Sequence, residues 1–441
     1  MSSLPASAST MTYASSVAYL YNLQHHGIKL GLETIAALTD RLGKPHERYL
    51  SLHIAGTNGK GSTAAMTASI LQAAGYRVGL YTSPHLVEFR ERIRINGDMI
   101  PESEVARLTE SLRKLCEPDV SPTFFEFTTA MALQYFADQR IDVAVLEVGL
   151  GGRFDATNIV KPAACAITTI ALDHQEYLGT TVSSIAFEKA GIVKSNVPVV
   201  VGRVPEEAMA VIRQVAVDRS ALLVQFGREF FAAGDSPECF TYEGSHRRYG
   251  KLACSLQGVH QIDNAGCALA LIEAAESEGV LVTEEAVRKG LLTVRWEGRL
   301  EIVESPPTII LDGAHNHAAA TALAKFLRSF RLTHPGSKVI LVMGMMREKD
   351  HAGFVEPLKD LIDAVVFTQA DLPRSANAHE LLQELKDVWT HAQACPVVSD
   401  ALERAKQVAG MEDLICVAGS LMLIGDVKAL LNGCRLSPLR G

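Results

Sequence analysis

Leu50-Ser51-Leu52-His53-Ile54-Ala55-Gly56-Thr57-Asn58-Gly59-Lys60-Gly61-Ser62 is the stretch whose reading decides the fold. The apolar run Leu50 to Ala55 predicts a buried strand, and Gly61 to Ala74 has the apolar spacing of a helix. Between them lies a glycine-rich loop with one lysine. A helix N-terminus after such a loop is an anion site, because backbone N–H groups point at the ligand and the helix dipole favours negative charge. Gly56, Gly59 and Gly61 let the backbone approach phosphates closely. Lys60 supplies a point charge for the terminal phosphates, and the Ser62 hydroxyl can ligate Mg²⁺. The spacing departs from the general GxxxxGK[ST] pattern, since the glycines are closer and Gly61 precedes the hydroxyl. A plain glycine-rich turn with an exposed lysine is the bland reading, and the strand–loop–helix context argues against it.

Outward from this loop the chain alternates short branched apolar runs with longer helical patterns. Strands are expected at Val78 to Thr82, Val143 to Val148, Ala164 to Ile170 and Val197 to Val201. Upstream, Tyr13 to Leu42 has helical spacing broken by Gly27 and Gly31, and Met1 to Met11 reads as a loose tail. The texture changes over Phe226 to Ser255, where a small antiparallel excursion is expected, followed by a helix over Asn264 to Glu278. A second β/α series begins near Arg299, with strands expected at Ile309 to Leu311, Val339 to Met343, Ala364 to Phe367 and Ile415 to Ala418. The expectation is an α/β protein with a mostly parallel sheet in residues 1–297 and a smaller α/β domain in residues 298–441, with a cleft between them.

The 441 residues suit two or three domains, and 48% hydrophobic with 21% charged residues is a globular composition. A net charge of −8 spread along the chain argues against a nucleic-acid partner. No apolar stretch is long enough to span a membrane, no signal core precedes Lys29, and a cytoplasmic location is expected. The eight cysteines lack a CxxC pair and mostly sit in apolar runs, so all are read as buried thiols.

Three further clusters carry chemistry. Glu147 ends a predicted strand, where ligands sit in parallel sheets, and is followed by Gly149-Leu150-Gly151-Gly152-Arg153-Phe154-Asp155-Ala156-Thr157-Asn158. A carboxylate there can complete the shell of a phosphate-bound Mg²⁺, although a strand-end Glu is often merely solvated. Asp173-His174 follows another strand, and Glu188-Lys189-Ala190-Gly191 lies on a predicted helix. A lone His is usually structural, and Lys189 taken bare is a surface lysine.

Together with Thr82-Ser83-Pro84-His85-Leu86, these clusters stand in the order and spacing of the Mur ligase superfamily, and Gly61 with Ser83-Pro84-His85-Leu86 resembles its folylpolyglutamate synthase branch. Agreement continues in Gly258-Val259-His260-Gln261-Ile262-Asp263-Asn264-Ala265, Gly298-Arg299, Leu311-Asp312-Gly313-Ala314-His315-Asn316 and Gly419-Ser420-Leu421. The resemblance runs from about Tyr13 to Val427. It implies a P-loop ATPase domain and a C-terminal Rossmann-like domain, with ATP between them. It places Gly56, Thr57, Asn58, Gly59, Lys60, Gly61 and Ser62 on the phosphates. Ser62 and Glu147 fall on one Mg²⁺, and Ser83, Glu147 and His174 on a second; K⁺ is an accessory cation. Lys189 matches a carbamylated lysine, Asn264 an adenine contact, Arg299, Asp312 and His315 nucleotide and reaction-centre contacts, and Ser420 a residue near the incoming glutamate.

The implied reaction is ATP-dependent addition of L-glutamate to a folate-type carboxylate through an acyl phosphate, with Lys60, His174, Lys189, Asp312 and His315 at the reaction centre. Positioning and charge stabilisation carry such chemistry, so no protein nucleophile is needed. Thr123-Phe124-Phe125-Glu126-Phe127 resembles the segment near the pterin site, with core aromatics at helix spacing as the alternative. Asp155-Ala156-Thr157-Asn158 resembles the form in bifunctional enzymes that also take dihydropteroate. The implied partners are small molecules only, and a monomer is expected. A folylpolyglutamate synthase without dihydropteroate activity is the runner-up. A P-loop kinase or regulatory NTPase would leave His174, Lys189 and His315 without a role.

Overall fold

Strand Leu50–Ala55 runs through the middle of an eight-stranded sheet, between Val143–Glu147 and Ala164–Ile167. The computed structural model describes residues 11–24, 27 and 31–438. In spatial order this sheet is Asp98–Met99, Ile93–Ile95, Val78–Tyr81, Val143–Glu147, Leu50–Ala55, Ala164–Ile167, Val199–Val201 and Leu223–Gln225. The six strands from Val78–Tyr81 onward are parallel, and the two at the edge are antiparallel. Alternate residues of the central strands feed cores on opposite faces: Leu52, Ile54, Val143 and Val145 on one, Ala144 and Leu146 on the other. That two-sided burial is why these strands read as unbroken apolar runs. Register sets Glu147 beside Ile54, one residue short of the mouth of the glycine-rich loop.

The expected antiparallel excursion is present as Phe231–Ser236, Cys239–Glu243 and Arg248–Leu252. It packs on helix His260–Ala274, which begins four residues before the expected start and ends sooner, the chain then making a short turn at Glu276–Glu278. Upstream, the pattern broken by glycines resolves into helices Tyr13–Leu23 and Glu33–Arg41. The tail expected over Met1 to Met11 lies, Met11 apart, outside the described residues.

The second sheet has six strands in the order Glu301–Glu304, Thr308–Leu311, Leu414–Ala418, Val339–Met343, Ala364–Phe367 and Ala392–Ala394. All pair in parallel except the first, which is antiparallel to Thr308–Leu311. The two sheets are joined through more than the chain. Leu86, from the loop after Val78–Tyr81, is buried in the second sheet's core with Ile309, Leu311 and Ile424.

Two cysteines depart from expectation. Cys239 and Cys434 are exposed, while Cys116, Cys165, Cys254, Cys267 and Cys416 are buried and Cys395 is intermediate. Cys239 opens a strand whose residues alternate outward and inward, and Cys434 follows a helix end at Gly433, so neither apolar context produces burial. No disulfide forms among the described residues. No described helix is long and apolar enough to cross a membrane.

Candidate active site

Helix Lys60–Ala73 starts at Gly59, whose φ of +83° is a left-handed conformation that glycine adopts freely. A Cβ on Gly59 would stand 2.3 Å from Asn264 Oδ1, and one on Gly61 would stand 2.8 Å from Trp296 Nε1. The loop is therefore walled by two side chains from outside it, Asn264 and Trp296. The loop's far side is tied to the strand end at Thr168 and Thr169: both hydroxyls donate to Asn58 O, at 2.6 and 3.0 Å. Lys60 Nζ donates to Gly56 O and Thr57 O, each at 3.1 Å, so its ammonium lies curled inside the loop. Burial lowers its pKa, opposed by the charges of Glu147 and Asp173. Ser62 is buried in the first helical turn, 3.5 Å from Gln261 Nε2.

Glu147 is buried at the end of its strand and accepts from the Ser83 N–H at 3.2 Å. Burial raises its pKa, while Lys60 chiefly favours the ionised form. Ser83 precedes a cis Pro84 in a loop whose N–H groups of Leu86, Val87 and Glu88 all donate to the Glu91 carboxylate. Lys189 is 5% exposed and donates to Gly56 O at 2.9 Å, so the helix Val182–Ala190 points it at the phosphate loop rather than at solvent. Burial, reinforced by Lys60, brings its pKa down to about 7.

Asp155 and Ala156 are buried in the loop after Glu147. The Asp155 carboxylate accepts from Leu150 N at 2.9 Å, from Thr157 N at 3.0 Å and from the Thr157 hydroxyl, so its visible bonds all serve its own loop. Phe124 is a core residue beneath the Arg92 guanidinium, at 5.1 Å. Phe125 is half-buried, with its ring against the backbone of Gly149, where a Cβ would come within 2.5 Å.

The second domain contributes from across the cleft. Asp312 accepts from Leu300 N and Ala314 N, both at 3.0 Å, and so shapes the turns that carry Arg299 and His315. His315 Nδ1 donates to Gly313 O at 2.8 Å, which leaves Nε2 turned to Asp173 Oδ2 at 3.4 Å. Ser420 is buried and caps helix Leu421–Asn432 through Met422 N. Asp173 is the meeting point: Lys349 Nζ lies 2.5 Å from Oδ1, and Asn316 Nδ2 donates to Oδ2 at 3.1 Å. Burial would raise the Asp173 carboxyl, but His315, Lys349 and His174 outweigh it and hold it far below the usual range. His174 has a left-handed backbone at φ +49°, and burial brings its pKa down to about 4. Asn316 also exchanges hydrogen bonds with Asn58 of the phosphate loop, at 3.1 Å.

Sequence reasoning missed Lys349 and left Asp173, Asn316 and Trp296 without roles. Lys349 stands in the charged run Arg347-Glu348-Lys349-Asp350, which has the look of a solvated turn. The one local signal was its place just after the expected strand Val339 to Met343. Among the described residues no cluster of three or more His, Cys, Asp or Glu could hold a metal unaided. Single carboxylate and hydroxyl groups beside a phosphate loop are the donor set Mg²⁺ accepts when phosphates and waters supply the rest.

A phosphate loop facing a second α/β unit, with lysine, histidine and arginine converging across the cleft, defines a nucleotide-dependent ligase of the Mur type. The model of the Mur ligase middle domain matches residues 54–272, and that of the Mur ligase glutamate ligase domain matches residues 298–421. The dihydrofolate synthase/folylpolyglutamate synthase of Bacillus subtilis is 34% identical, over 95% of this chain and 99% of its own. The structure of Escherichia coli FolC in complex with DHPP and ADP superposes with a TM-score of 0.88 at 37% identity, over 98% of this chain and 99% of its own. A Yersinia pestis bifunctional folylpolyglutamate synthase/dihydrofolate synthase with Mn, AMPPNP and L-glutamate bound gives 0.86 at 34% identity, over 96% of this chain and all of its own. The chain belongs to the dihydrofolate synthase/folylpolyglutamate synthase family of Mur ligases.

Proposed function

We propose that this protein joins L-glutamate to dihydropteroate and to folylpolyglutamates, using ATP. The observation that carries the reading is the junction of the two units: the Lys60 loop, Glu147 and Asp173 on one wall, Arg299, His315 and Lys349 on the other, with His315 and Lys349 meeting Asp173 across it. The γ-phosphoryl group passes from ATP to a carboxylate oxygen of the acceptor, forming an acyl phosphate and releasing ADP. The amine of L-glutamate then forms a bond to the acyl carbon and gives up its proton. The C–O bond breaks, and phosphate leaves with its electron pair.

In this reading Lys60 turns from its loop carbonyls to the terminal phosphates, and Arg299 meets the same charge from the second domain. Ser62 and Glu147 would hold one Mg²⁺, with Ser83, Glu147 and His174 around a second; His174 suits this, since at neutral pH its ring is uncharged. When bound, Mg²⁺ neutralises the charge that develops on the transferring phosphoryl group. Lys189 fits carbamylation, because a pKa of about 7 leaves much of it as the free amine that adds CO₂. The product is an anion where a cation would repel Mg²⁺. K⁺ as accessory cation and a monomeric state belong to the same reading and rest on the family resemblance; a cytoplasmic location and a domain boundary at residues 297/298 rest on the pattern of the sequence.

Asp312 works at one remove, through the backbones it holds. Ser420, at the start of its helix, is the proposed neighbour of the incoming glutamate. Phe125 and the Asp155-Ala156 turn flank the proposed pterin site. Closure of the cleft excludes water, which would otherwise hydrolyse the acyl phosphate. The test is ADP release with ATP, Mg²⁺ and L-glutamate, comparing dihydropteroate with tetrahydrofolate as acceptor. Turnover is expected with both. Turnover with tetrahydrofolate alone would remove the dihydropteroate step, and ATP hydrolysis independent of glutamate would overturn the ligase reading.

A further inference from the structure

The segment Trp296-Glu297-Gly298-Arg299-Leu300-Glu301 connects the two sheets and delivers Arg299 to the cleft. At its start Trp296 rests on the phosphate loop, against Gly61. On either side of Arg299 the backbone is left-handed, with φ +68° at Gly298 and +47° at Leu300. Glycine adopts that conformation freely, whereas leucine does so against steric resistance from its Cβ. Such a turn persists only where its surroundings fix it.

Those surroundings are specific. Asp312 Oδ2 accepts from Leu300 N at 3.0 Å, and Gly298 O accepts from Gly313 N at 2.8 Å. Glu301 Oε2 accepts from Gly298 N at 2.7 Å. The other oxygen of Glu301 takes Lys428 Nζ at 2.7 Å, and the same ammonium reaches Glu297 Oε2 at 2.9 Å. Lys428 thus ties together the residues before and after the Gly298–Arg299 turn. It comes from helix Leu421–Asn432, whose neighbouring buried residues include Met422, Leu423, Ile424, Val427 and Ala429. A lysine with only 8% of its side chain exposed on such a face needs a partner to hold its charge, and here it has two.

We propose that Lys428 is a positioning residue for Arg299: by holding Glu297 and Glu301 it fixes the left-handed turn that presents the guanidinium to the phosphate loop. The turn also folds Arg299 back, with Nη1 donating to Gly298 O at 3.0 Å. The Arg299 charge is near enough to lower the pKa of both Lys60 and Glu147. The proposal rests on the ligase reading, in which Arg299 meets the nucleotide.

The test is steady-state kinetics of the full chain for Lys428→Met, Lys428→Arg, Arg299→Ala and the double variant Lys428→Met/Arg299→Ala. Lys428→Met is expected to raise KM for ATP about tenfold, with kcat and KM for glutamate within about threefold of wild type. Lys428→Arg, which keeps the charge, is expected to restore KM for ATP to within about threefold. The double variant is expected to be no worse than Arg299→Ala, because Lys428 acts through Arg299. Losses that multiply would overturn the proposal, as would a Lys428→Met that lowers only the unfolding midpoint. If Lys428→Met does not fold, Glu297→Gln replaces it in the same cycle, with an expected rise of about threefold in KM for ATP that vanishes beside Arg299→Ala. Unchanged ATP kinetics in Arg299→Ala itself would overturn the assignment of Arg299, and the proposal with it.

Discussion

Asp155 and Asp173 lie on two loops at the carboxyl end of the first sheet, and their surroundings make them opposites. Asp155 is buried and is met by neutral donors of its own loop, and its pKa is raised by burial. Asp173 is met by Lys349, His315 and Asn316, all from the other domain, and those charges hold it ionised despite burial. The first carboxylate builds a loop; the second joins two domains. Burial alone does not tell an acid that builds its own loop from one that bridges two units. The origin of its partners does, because partners on a separate rigid unit can leave when the unit moves.

Asp173→Asn sharpens the contrast most. It is expected to lower kcat/KM by about a hundredfold, the scale of misplaced reacting groups, while the thermal unfolding midpoint moves little. That expectation for the midpoint rests on Lys349 and His315 regaining water once the two units part. Adding Lys349→Met to Asp173→Asn is expected to cost little more, since each variant breaks the same contact. A large fall in the midpoint for Asp173→Asn would make it another structural acid and erase the distinction. Asp155→Ala is the smaller, opposite case. It leaves Leu150 N and Thr157 N without their acceptor, at a cost of about 1–3 kcal/mol by urea unfolding. Full stability in that variant would show that the loop does not depend on its carboxylate.

The same contrast explains what could be read in the sequence. The phosphate loop was legible because its signals are local: an apolar strand, three glycines, a lysine and a helix within thirteen residues. Strands buried on both faces were legible for the same reason, to within a few residues at their ends. The edge strand Glu301–Glu304 was not, since its residues are only partly buried and its pairing shifts register between Ile302 and Glu304. Asp173 and Lys349 are 176 residues apart, and nothing near either names the other. Lys428 was hidden differently, as one cation on a helix of apolar residues whose two partners lie more than a hundred positions away. Family resemblance named Arg299, Asp312 and His315 where local pattern could not. It did not reach what holds them.

His53 extends the structural side of the comparison, and its effect is the smallest expected. It lies in the central strand, fully buried, with Nε2 2.8 Å from the Thr157 hydroxyl. That hydroxyl donates to Asp155, so His53 must donate from Nε2 and keep Nδ1 unprotonated, and Nδ1 has no partner. Burial, helped by the charge of Lys194, lowers its pKa to about 3. The unfolded chain, with an ordinary pKa near 6.5, therefore binds the proton more readily than the folded one. This contribution to stability is fully present above pH 6.5 and is lost as pH falls from there toward 3. Between pH 7 and pH 6 the loss from this group is about 0.7 kcal/mol. Urea unfolding at those two pH values, in wild type and His53→Gln, isolates it: the variant, having no imidazole, is expected to show a shallower pH dependence by that amount. Equal slopes would mean that His53 titrates in the folded protein as it does in the unfolded chain, so that its burial does not keep the proton off.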